Sequence, residues 1–238
     1  MKKVLFIDSG SGGINILKEC IKVCPRCDFL FFCDNKNMPY GNKTKEELLS
    51  ITFENLEMIY RFFKFEIVVF ACNSLTSTCI VECREKYPNV EFVGTVPAIK
   101  PALEKFDRED ILVLATQATA EHNELIKKTG VNVLVVPDLA RLIDENLDNI
   151  DVVYPEIDKM FEGLKAKAIV LGCTHYVAIK KHLEECFPNV EIFDGANGVA
   201  RRLASIVGEG KEDCQVQMMV SGDETFLAKL IYFFKKQQ

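Results

Sequence analysis

Short apolar runs alternate with longer amphipathic stretches along nearly the whole chain. A short apolar run bounded by polar residues is typical of a buried strand, and apolar positions recurring every three or four residues are typical of a helix. The pattern predicts strands at residues 3–7, 29–32, 66–71, 90–93, 111–115, 132–136, 168–171, 190–193 and 216–220. It predicts its clearest helix at residues 45–63, with one apolar face formed by Leu48, Leu49, Phe53, Leu56, Ile59, Tyr60 and Phe63.

Continuous apolar strands separated by helices predict an α/β fold, with mainly parallel sheets flanked by helices on both faces. The sequence also repeats itself. Residues 66–74 resemble residues 167–175, and residues 87–94 resemble residues 187–194, so both matches have an offset of about 100 residues. We infer two similar domains, although strand-then-turn segments can also look alike in an α/β protein without duplication.

Charge and hydropathy exclude several classes of partner. The 238 residues carry a net charge of −6, with no clustered basic excess for nucleic acid or for a membrane surface. No apolar run approaches the roughly 18 residues of a membrane span. The apolar run after Lys3 stops at Asp8, which is too short for a signal peptide. We therefore expect a cytoplasmic protein that binds neither nucleic acid nor membrane.

The ten cysteines are spread through the chain, and several lie in apolar segments. A disulfide scaffold would be short and loop-rich, so we expect a reduced protein with mostly buried thiols. Cys24-Pro25-Arg26-Cys27 has the spacing of a redox or zinc motif, with Cys20 and Cys33 nearby. No second motif of this kind and no neighbouring histidine supports it, so a metal or redox protein using Cys24 and Cys27 is kept as an alternative only.

The candidate chemistry lies where the predicted strands end, because ligands of open α/β sheets bind beyond the carboxyl ends of the strands. Small polar residues follow most of these strands. The segments are Asp8-Ser9-Gly10-Ser11-Gly12-Gly13, Pro39-Tyr40-Gly41, Cys72-Asn73-Ser74, Thr116-Gln117-Ala118-Thr119 and Cys173-Thr174-His175.

The glycine-rich segment fits neither nucleotide-binding pattern. Position 15 is Asn15 where a dinucleotide fingerprint needs glycine, and no Gly-Lys-Ser/Thr follows. The remaining interpretation is a tight turn whose N–H groups suit a carboxylate. The five segments contain no lysine or arginine, so a lysine Schiff base is not indicated. Substrate anions would be held by N–H groups and by the hydroxyls of Ser9, Ser74, Thr116, Thr119 and Thr174.

Cys72 and Cys173 occupy matching positions in the two repeats. Each follows an apolar strand and begins a helix, a position that lowers the pKa of a thiol. Two thiols on opposite walls of a pocket suit the inversion of a carbon centre, since one removes the α-proton while the other delivers a proton to the opposite face. Asp8 and His175 are placed to assist them.

This ordered set of motifs, completed by Leu114-Ala115-Thr116 and Cys173-Thr174-His175-Tyr176, resembles the cofactor-independent aspartate/glutamate racemase family, and the second cysteine motif resembles its glutamate branch. The resemblance implies interconversion of L-glutamate and D-glutamate with no cofactor and no metal. It also implies a role in supplying D-glutamate for peptidoglycan, and hence in bacterial cell-wall formation and cell shape. Aspartate or another amino acid is the alternative substrate.

The resemblance assigns roles residue by residue. Cys72 and Cys173 would exchange the protons, assisted by Asp8 and His175. Ser74, Leu75 and Val177 depart from the usual family residues, and either Asp144 or Glu145 could match the family's acidic residue. The substrate-binding residues would be Ser9, Pro39, Tyr40, Gly41, Asn73, Ser74, Thr116, Thr119 and Thr174.

The resemblance also implies the architecture. Residues 1–97 and 203–238 would form the first domain and residues 98–202 the second, related by pseudo-twofold symmetry, with the active site in the cleft between them. A homodimer is expected from the family. Two other classes stay open: a cysteine hydrolase with Cys173 as nucleophile and His175 as base, and a binding module without catalysis.

Overall fold

The predicted strands and helices form in the expected order. The computed structural model of the chain describes residues 1–24, 27–208 and 214–236. The strands are β1 Lys2–Asp8, β2 Cys27–Cys33, β3 Ile67–Phe70, β4 Glu91–Gly94, β5 Ile111–Ala115, β6 Asn132–Val135, β7 Ala168–Gly172, β8 Glu191–Phe193 and β9 Gln215–Val220. The α-helices are α1 Gly13–Val23, α2 Lys45–Tyr60, α3 Asn73–Lys86, α4 Ile99–Leu103, α5 Gln117–His122, α6 Glu124–Thr129, α7 Leu139–Glu145, α8 Tyr154–Met160, α9 Lys180–Cys186, α10 Ala196–Val207 and α11 Thr225–Lys236.

All nine predicted strands are confirmed, with bounds that differ by no more than a few residues. The long predicted helix is α2, which begins at a capping box. The Thr44 hydroxyl accepts from the Glu47 N–H, and the Glu47 carboxylate accepts from the Thr44 N–H. The helix ends at Tyr60, short of the predicted residue 63, because the chain then turns so that Phe63 and Phe65 are both buried.

The strands form two sheets that are parallel throughout. The first sheet has the order β4-β3-β1-β2-β9, and the second has the order β6-β5-β7-β8. The predicted fold class is therefore confirmed. The domain bounds at 97/98 and 202/203 stay a prediction, and residues 209–213 and 237–238 lie outside the described residues.

Each sheet is buried on both faces. In β1, Val4 and Phe6 pack into the cluster that contains α1 and α10, whereas Leu5 and Ile7 pack into the cluster that contains α2 and α3. The second sheet is likewise covered by one apolar cluster on each face. A strand that is buried on both sides needs no polar alternation, which explains the continuous apolar runs of the sequence. Within the described ranges, no helix is both long and apolar enough to cross a membrane.

Glycines let the two halves approach closely at the carboxyl ends of their strands. A Cβ on Gly12 would lie 2.5 Å from the backbone nitrogen of His175, and a Cβ on Gly41 would lie 2.7 Å from the Cβ of Thr116. Both distances are shorter than a real Cβ contact, so only glycine fits. The loops after β1 and β2 are thereby pressed against the loops after β7 and β5.

The capping box of α2 generates a stability prediction. Thr44→Ala removes the side-chain acceptor for the Glu47 N–H, so we expect the free energy of unfolding to fall by about 1 kcal/mol in denaturant titrations. Ser50→Ala is the matched control, because Ser50 lies on the same helix and bonds only to the exposed Glu54. Equal stabilities of the two variants would show that the cap does not stabilise α2.

Candidate active site

The two cysteines of the repeat have equivalent places and nearly equal backbone conformations. Cys72 follows β3 and caps α3, with φ −141° and ψ 125°. Cys173 follows β7 and precedes the 3₁₀ helix Thr174–Ile179, with φ −145° and ψ 139°. Cys72 is 5% exposed and Cys173 is 6% exposed, so the site is closed. A substrate can reach the thiols only if the cleft opens.

The environment of Cys72 corrects one expectation from the sequence. Burial raises the pKa of this thiol well above its usual value, and the charge of Asp8 raises it further. Hydrogen bonds from the Leu75 and Ser74 N–H groups act in the opposite direction, as expected at a helix start, but they are outweighed. Cys173 also raises the pKa of Cys72, so the two sulfurs influence each other electrostatically.

Cys173 has a different partner. Its sulfur lies 3.7 Å from Nδ1 of His175, whose Nε2 lies 3.2 Å from an oxygen of Asp144. Burial by itself would lower the pKa of His175, but the charge and hydrogen bond of Asp144, followed by those of Cys173, raise it well above its usual value. Asp144 and Cys173 therefore favour the protonated form of the imidazole beside the second thiol.

The buried acidic residue of α7 is Asp144 and not Glu145. Asp144 is 3% exposed and accepts hydrogen bonds from the N–H and the hydroxyl of Ser11, with the N–H 3.1 Å from Oδ2. Glu145 is exposed and pairs with Arg141 at 2.7 Å. Of the two candidates left open by the sequence, only Asp144 contacts the site.

Asp8, at the end of β1, is fully buried. It accepts from the Thr174 hydroxyl at 2.9 Å and from the Gly10 N–H at 3.3 Å, and the Ser9 hydroxyl lies 3.5 Å away. Burial raises the pKa of Asp8 to about 6, against the opposing effects of His175, Thr174 and Gly10. A carboxyl group with this pKa can take up or release a proton near neutral pH.

The glycine-rich turn binds carboxylates that belong to the protein itself. The N–H of Gly10 donates to Asp8, and the N–H of Ser11 donates to Asp144. The turn therefore has the predicted anion-binding geometry, but these two donors hold the catalytic candidates in place. Neither N–H is available to a ligand in the closed site.

Three of the five predicted hydroxyl groups form one buried chain, whereas those of Ser9 and Thr174 lie against Asp8. Ser74, on α3, lies 2.8 Å from the Thr116 hydroxyl, which lies 3.1 Å from the Thr119 hydroxyl. The amide of Asn73 donates to the Thr95 carbonyl at 3.3 Å. Thr116 also caps α5. The hydroxyl groups of Ser74, Thr116 and Thr119 bond to one another, and their role in binding stays a prediction.

The loop after β2 contains a functional candidate that sequence reasoning missed. Asp34 is fully buried and accepts from the Tyr40 hydroxyl at 2.6 Å, from Asn37 and Asn55 at 3.0 Å, and from Ser221. The hydroxyl of Tyr40 therefore bonds to Asp34 in the closed site. Pro39 follows a cis peptide bond, and Gly41 contacts Thr116. Asp34 directly follows β2, and Asp8 is the last residue of the neighbouring strand β1, so a carboxylate at a strand end was the available signal.

The Cys24/Cys27 motif has the wrong electrostatics for a reactive dithiol. Burial raises the pKa of Cys24 to about 12 and that of Cys27 to about 11, and neighbouring thiols raise both further. Redox cysteines need a lowered pKa. Pro25 and Arg26 of this motif lie outside the described residues.

Comparisons with known proteins agree with this geometry. Residues 15–203 match the family model described as Asp/Glu/hydantoin racemase. A glutamate racemase of Clostridium acetobutylicum is 35% identical over 238 residues, which cover 90% of each chain. A glutamate racemase of Clostridium botulinum is 38% identical over 213 residues, covering 85% of this chain and 82% of the relative.

A solved structure of a glutamate racemase has the same fold as this chain. The crystal structure of the glutamate racemase isoform RacE1 from Bacillus anthracis superposes with a TM-score of 0.85 at 22% identity, covering 100% of this chain and 95% of that one. The fold and the site define an α/β protein of two parallel sheets, with one buried cysteine just beyond a strand of each sheet. The chain belongs to the Asp/Glu/hydantoin racemase family.

The contact between His175 and Asp144 generates a second prediction. Asp144→Asn removes the charge that opposes burial, so we expect the pKa of His175 to fall, as followed by NMR titration of its ring protons. Glu145→Gln is the matched control, since it removes an exposed charge from the adjacent position and should leave the titration unchanged. An unaltered His175 titration in the first variant would contradict the assignment.

Asp8 generates a third prediction, on the pH dependence of stability. The unfolded chain releases this proton near pH 3.8, whereas the folded protein keeps it up to about pH 6, so folding binds a proton in between. Stability contributed by this group therefore falls as pH rises from 4 to 6. Above pH 6, we expect the free energy of unfolding of Asp8→Asn to exceed that of the parent protein by up to about 3 kcal/mol. No difference should remain near pH 3, and a variant less stable at pH 8 would contradict the assigned shift.

Proposed function

We propose that the protein is a glutamate racemase, an isomerase that interconverts L-glutamate and D-glutamate by proton transfer at Cα without a cofactor. The observation that carries the proposal is the pair of buried cysteines at equivalent strand ends of the two halves. The relatives at 35% and 38% identity are glutamate racemases, which favours glutamate over aspartate as the substrate.

In the proposed mechanism, the substrate Cα lies between Cys72 and Cys173. Starting from D-glutamate, the Cys72 thiolate removes the α-proton, and the Cys173 thiol donates its proton to the opposite face. The product is L-glutamate, with Cys72 now protonated and Cys173 a thiolate. The reverse reaction exchanges these roles. After L-glutamate leaves, the proton is on Cys72, and after D-glutamate leaves, it is on Cys173.

Asp8 and His175 assist the two thiols in different ways. Asp8, with its pKa near 6, is the proton acceptor for Cys72, whose own pKa is raised by burial. The His175 imidazolium, 3.7 Å from the sulfur of Cys173, stabilises negative charge that develops there. The ammonium group of the bound substrate favours the thiolate forms further, because a nearby positive charge favours an anion.

The substrate carboxylates are proposed to bind where the polar side chains now bond to one another. Ser74 and Thr116 would exchange their mutual hydrogen bond for bonds to a carboxylate oxygen. Water is excluded from the closed cleft, which strengthens these interactions. The proposed binding residues are Ser9, Pro39, Tyr40, Gly41, Asn73, Ser74, Thr116, Thr119 and Thr174.

The proposed cellular role rests on the resemblance to the family. We propose that the enzyme supplies D-glutamate to peptidoglycan synthesis in the cytoplasm, and thereby supports cell-wall formation and cell shape. We further propose a homodimer of two-domain subunits, with residues 1–97 and 203–238 in one domain and residues 98–202 in the other. Size-exclusion chromatography with light scattering would measure the oligomeric state directly.

The second candidate is a cysteine hydrolase, which the order Cys173, His175, Asp144 favours. This arrangement leaves the paired Cys72 without a role, whereas proton transfer uses both thiols. Membership of a racemase family also favours the first proposal. A covalent thioester on Cys173, trapped by rapid quenching and detected by mass spectrometry, would support the hydrolase.

The proposed function generates a fourth prediction. In D₂O with L-glutamate and no added cofactor, we expect the circular dichroism of the amino acid to decay to zero while deuterium enters Cα. Cys72→Ala and Cys173→Ala should each lower racemisation by at least about 10³-fold, because each removes one of the two proton carriers. Cys186→Ser is the matched control, since this cysteine is exposed and outside the site.

The outcomes separate the alternatives. Racemisation of aspartate but not glutamate would contradict the substrate and retain the two-thiol mechanism. Near-normal turnover in both directions by either alanine variant would contradict the mechanism itself. Loss of activity in the control variant would show that cysteine substitution affects the fold nonspecifically.

A further inference from the structure

Three metal-ligating side chains converge on the surface of the second half, where the proposed reaction uses none of them. Asp158 lies on α8, and His182 and Cys186 lie one turn apart on α9. Their donor atoms all lie within 4.8 Å of one another. Asp158 and Cys186 are exposed, and the His182 side chain is 12% exposed, so an ion can reach the cluster from solvent.

The distances between the donors are close to those of a zinc site. The Cys186 sulfur lies 3.6 Å from Nε2 and 3.9 Å from Nδ1 of His182. It lies 3.8 Å from Oδ1 of Asp158, and Nε2 and Oδ1 are 2.7 Å apart. In a tetrahedral site, a Zn–S bond of about 2.3 Å and a Zn–N bond of about 2.0 Å place sulfur and nitrogen about 3.5 Å apart. To admit an ion on Nε2, the nitrogen and oxygen must separate by less than about 1 Å. The Cys186 side chain must also rotate, because its sulfur is now almost equidistant from the two ring nitrogens of His182.

The fold holds His182 and Asp158 together, and places Cys186 beside them, before any ion binds. His182 and Cys186 are four residues apart on one helix and therefore share a face. The Tyr154 ring stacks on the His182 ring, with centroids 3.8 Å apart and an interplanar angle of 5°. This stacking fixes the plane of the imidazole and directs Nε2 towards Asp158, so little side-chain freedom is lost on binding.

We propose that Asp158, His182 and Cys186 form a binding site for a divalent transition metal, with Zn²⁺ as the preferred ion. Thiolate, imidazole and carboxylate together suit a borderline-soft ion and exclude Mg²⁺ and Ca²⁺, which prefer oxygen ligands. On binding, the Cys186 thiol releases its proton to solvent and its sulfur becomes a ligand, while the ion replaces the hydrogen bond between His182 and Asp158. A water molecule completes the tetrahedron.

The bound ion would connect α8 to α9. The 3₁₀ helix Thr174–Ile179, which starts beside Cys173, leads directly into α9. Metal binding to the folded state alone stabilises that state by mass action. The site is therefore a structural connection within the second half, and it does not depend on the proposed racemase activity.

Cobalt provides the test, because Zn²⁺ has no visible spectrum. The full-length protein, freed of metal by a chelator and kept reduced, is titrated with Co²⁺. We expect one Co²⁺ per chain, with a thiolate-to-cobalt charge-transfer band and the visible bands of tetrahedral cobalt, all abolished by Zn²⁺. Zn²⁺ should also raise the melting temperature of the parent protein.

Substitution of each of the three side chains tests whether it binds the ion. Cys186→Ser should lose the charge-transfer band and the thermal shift, and His182→Asn and Asp158→Asn should each weaken Co²⁺ binding at least about tenfold. His122→Asn is the matched control, because His122 is another surface histidine beside a carboxylate, 4.0 Å from Glu121. Circular dichroism spectra of all variants should match that of the parent.

Three results would overturn the proposal. A band of unchanged intensity in Cys186→Ser would assign cobalt to other thiols of the chain. Parent-like affinity in both His182→Asn and Asp158→Asn would show that cobalt binds a single exposed thiol. The absence of any zinc-displaceable band in the parent protein would show that the three side chains do not form a metal site.

Discussion

Two buried carboxylates, one from each half of the molecule, hold the active-site cleft together by accepting hydrogen bonds from the opposite half. Thr174 donates to Asp8, and Ser11 donates to Asp144. A buried carboxylate without such donors is very unfavourable, so the halves can close only when the loops after β1 and β7 meet in this arrangement. The positions of both thiols follow from this closure.

The resulting site is symmetric in its backbone and asymmetric in its chemistry. Cys72 and Cys173 have nearly equal dihedral angles at equivalent strand ends. The first thiol lies in the field of the Asp8 carboxylate, whereas the second lies beside the imidazole of His175. A racemase needs a proton carrier on each face of the substrate, but the two carriers do not need the same assistant. The similar plan of the two halves accounts for the first property. The second arises from Asp8, which lies outside the repeat, and from His175, which stands where the first repeat has Ser74.

The cysteines fall into classes by burial and neighbours. Cys20, Cys79 and Cys83 pack as apolar core residues, and their pKa values are raised by burial. Such thiols are inert at neutral pH. Cys72 and Cys173 line the cleft, and Cys186 lies exposed beside a histidine and a carboxylate. The cysteines thus serve packing, the proposed proton transfer and the proposed surface metal site.

The sequence alone determined the elements and singled out the two cysteines as candidates, because strand periodicity and strand-end motifs are local signals. It could not choose between Asp144 and Glu145, identify Asp34, or show that the pKa of Cys72 is raised. Those properties depend on burial and on partners far away along the chain, such as the Ser11 N–H bound by Asp144 and the Ser221 hydroxyl bound by Asp34. Only the packing of the two halves brings these groups together and removes the water that would otherwise solvate them.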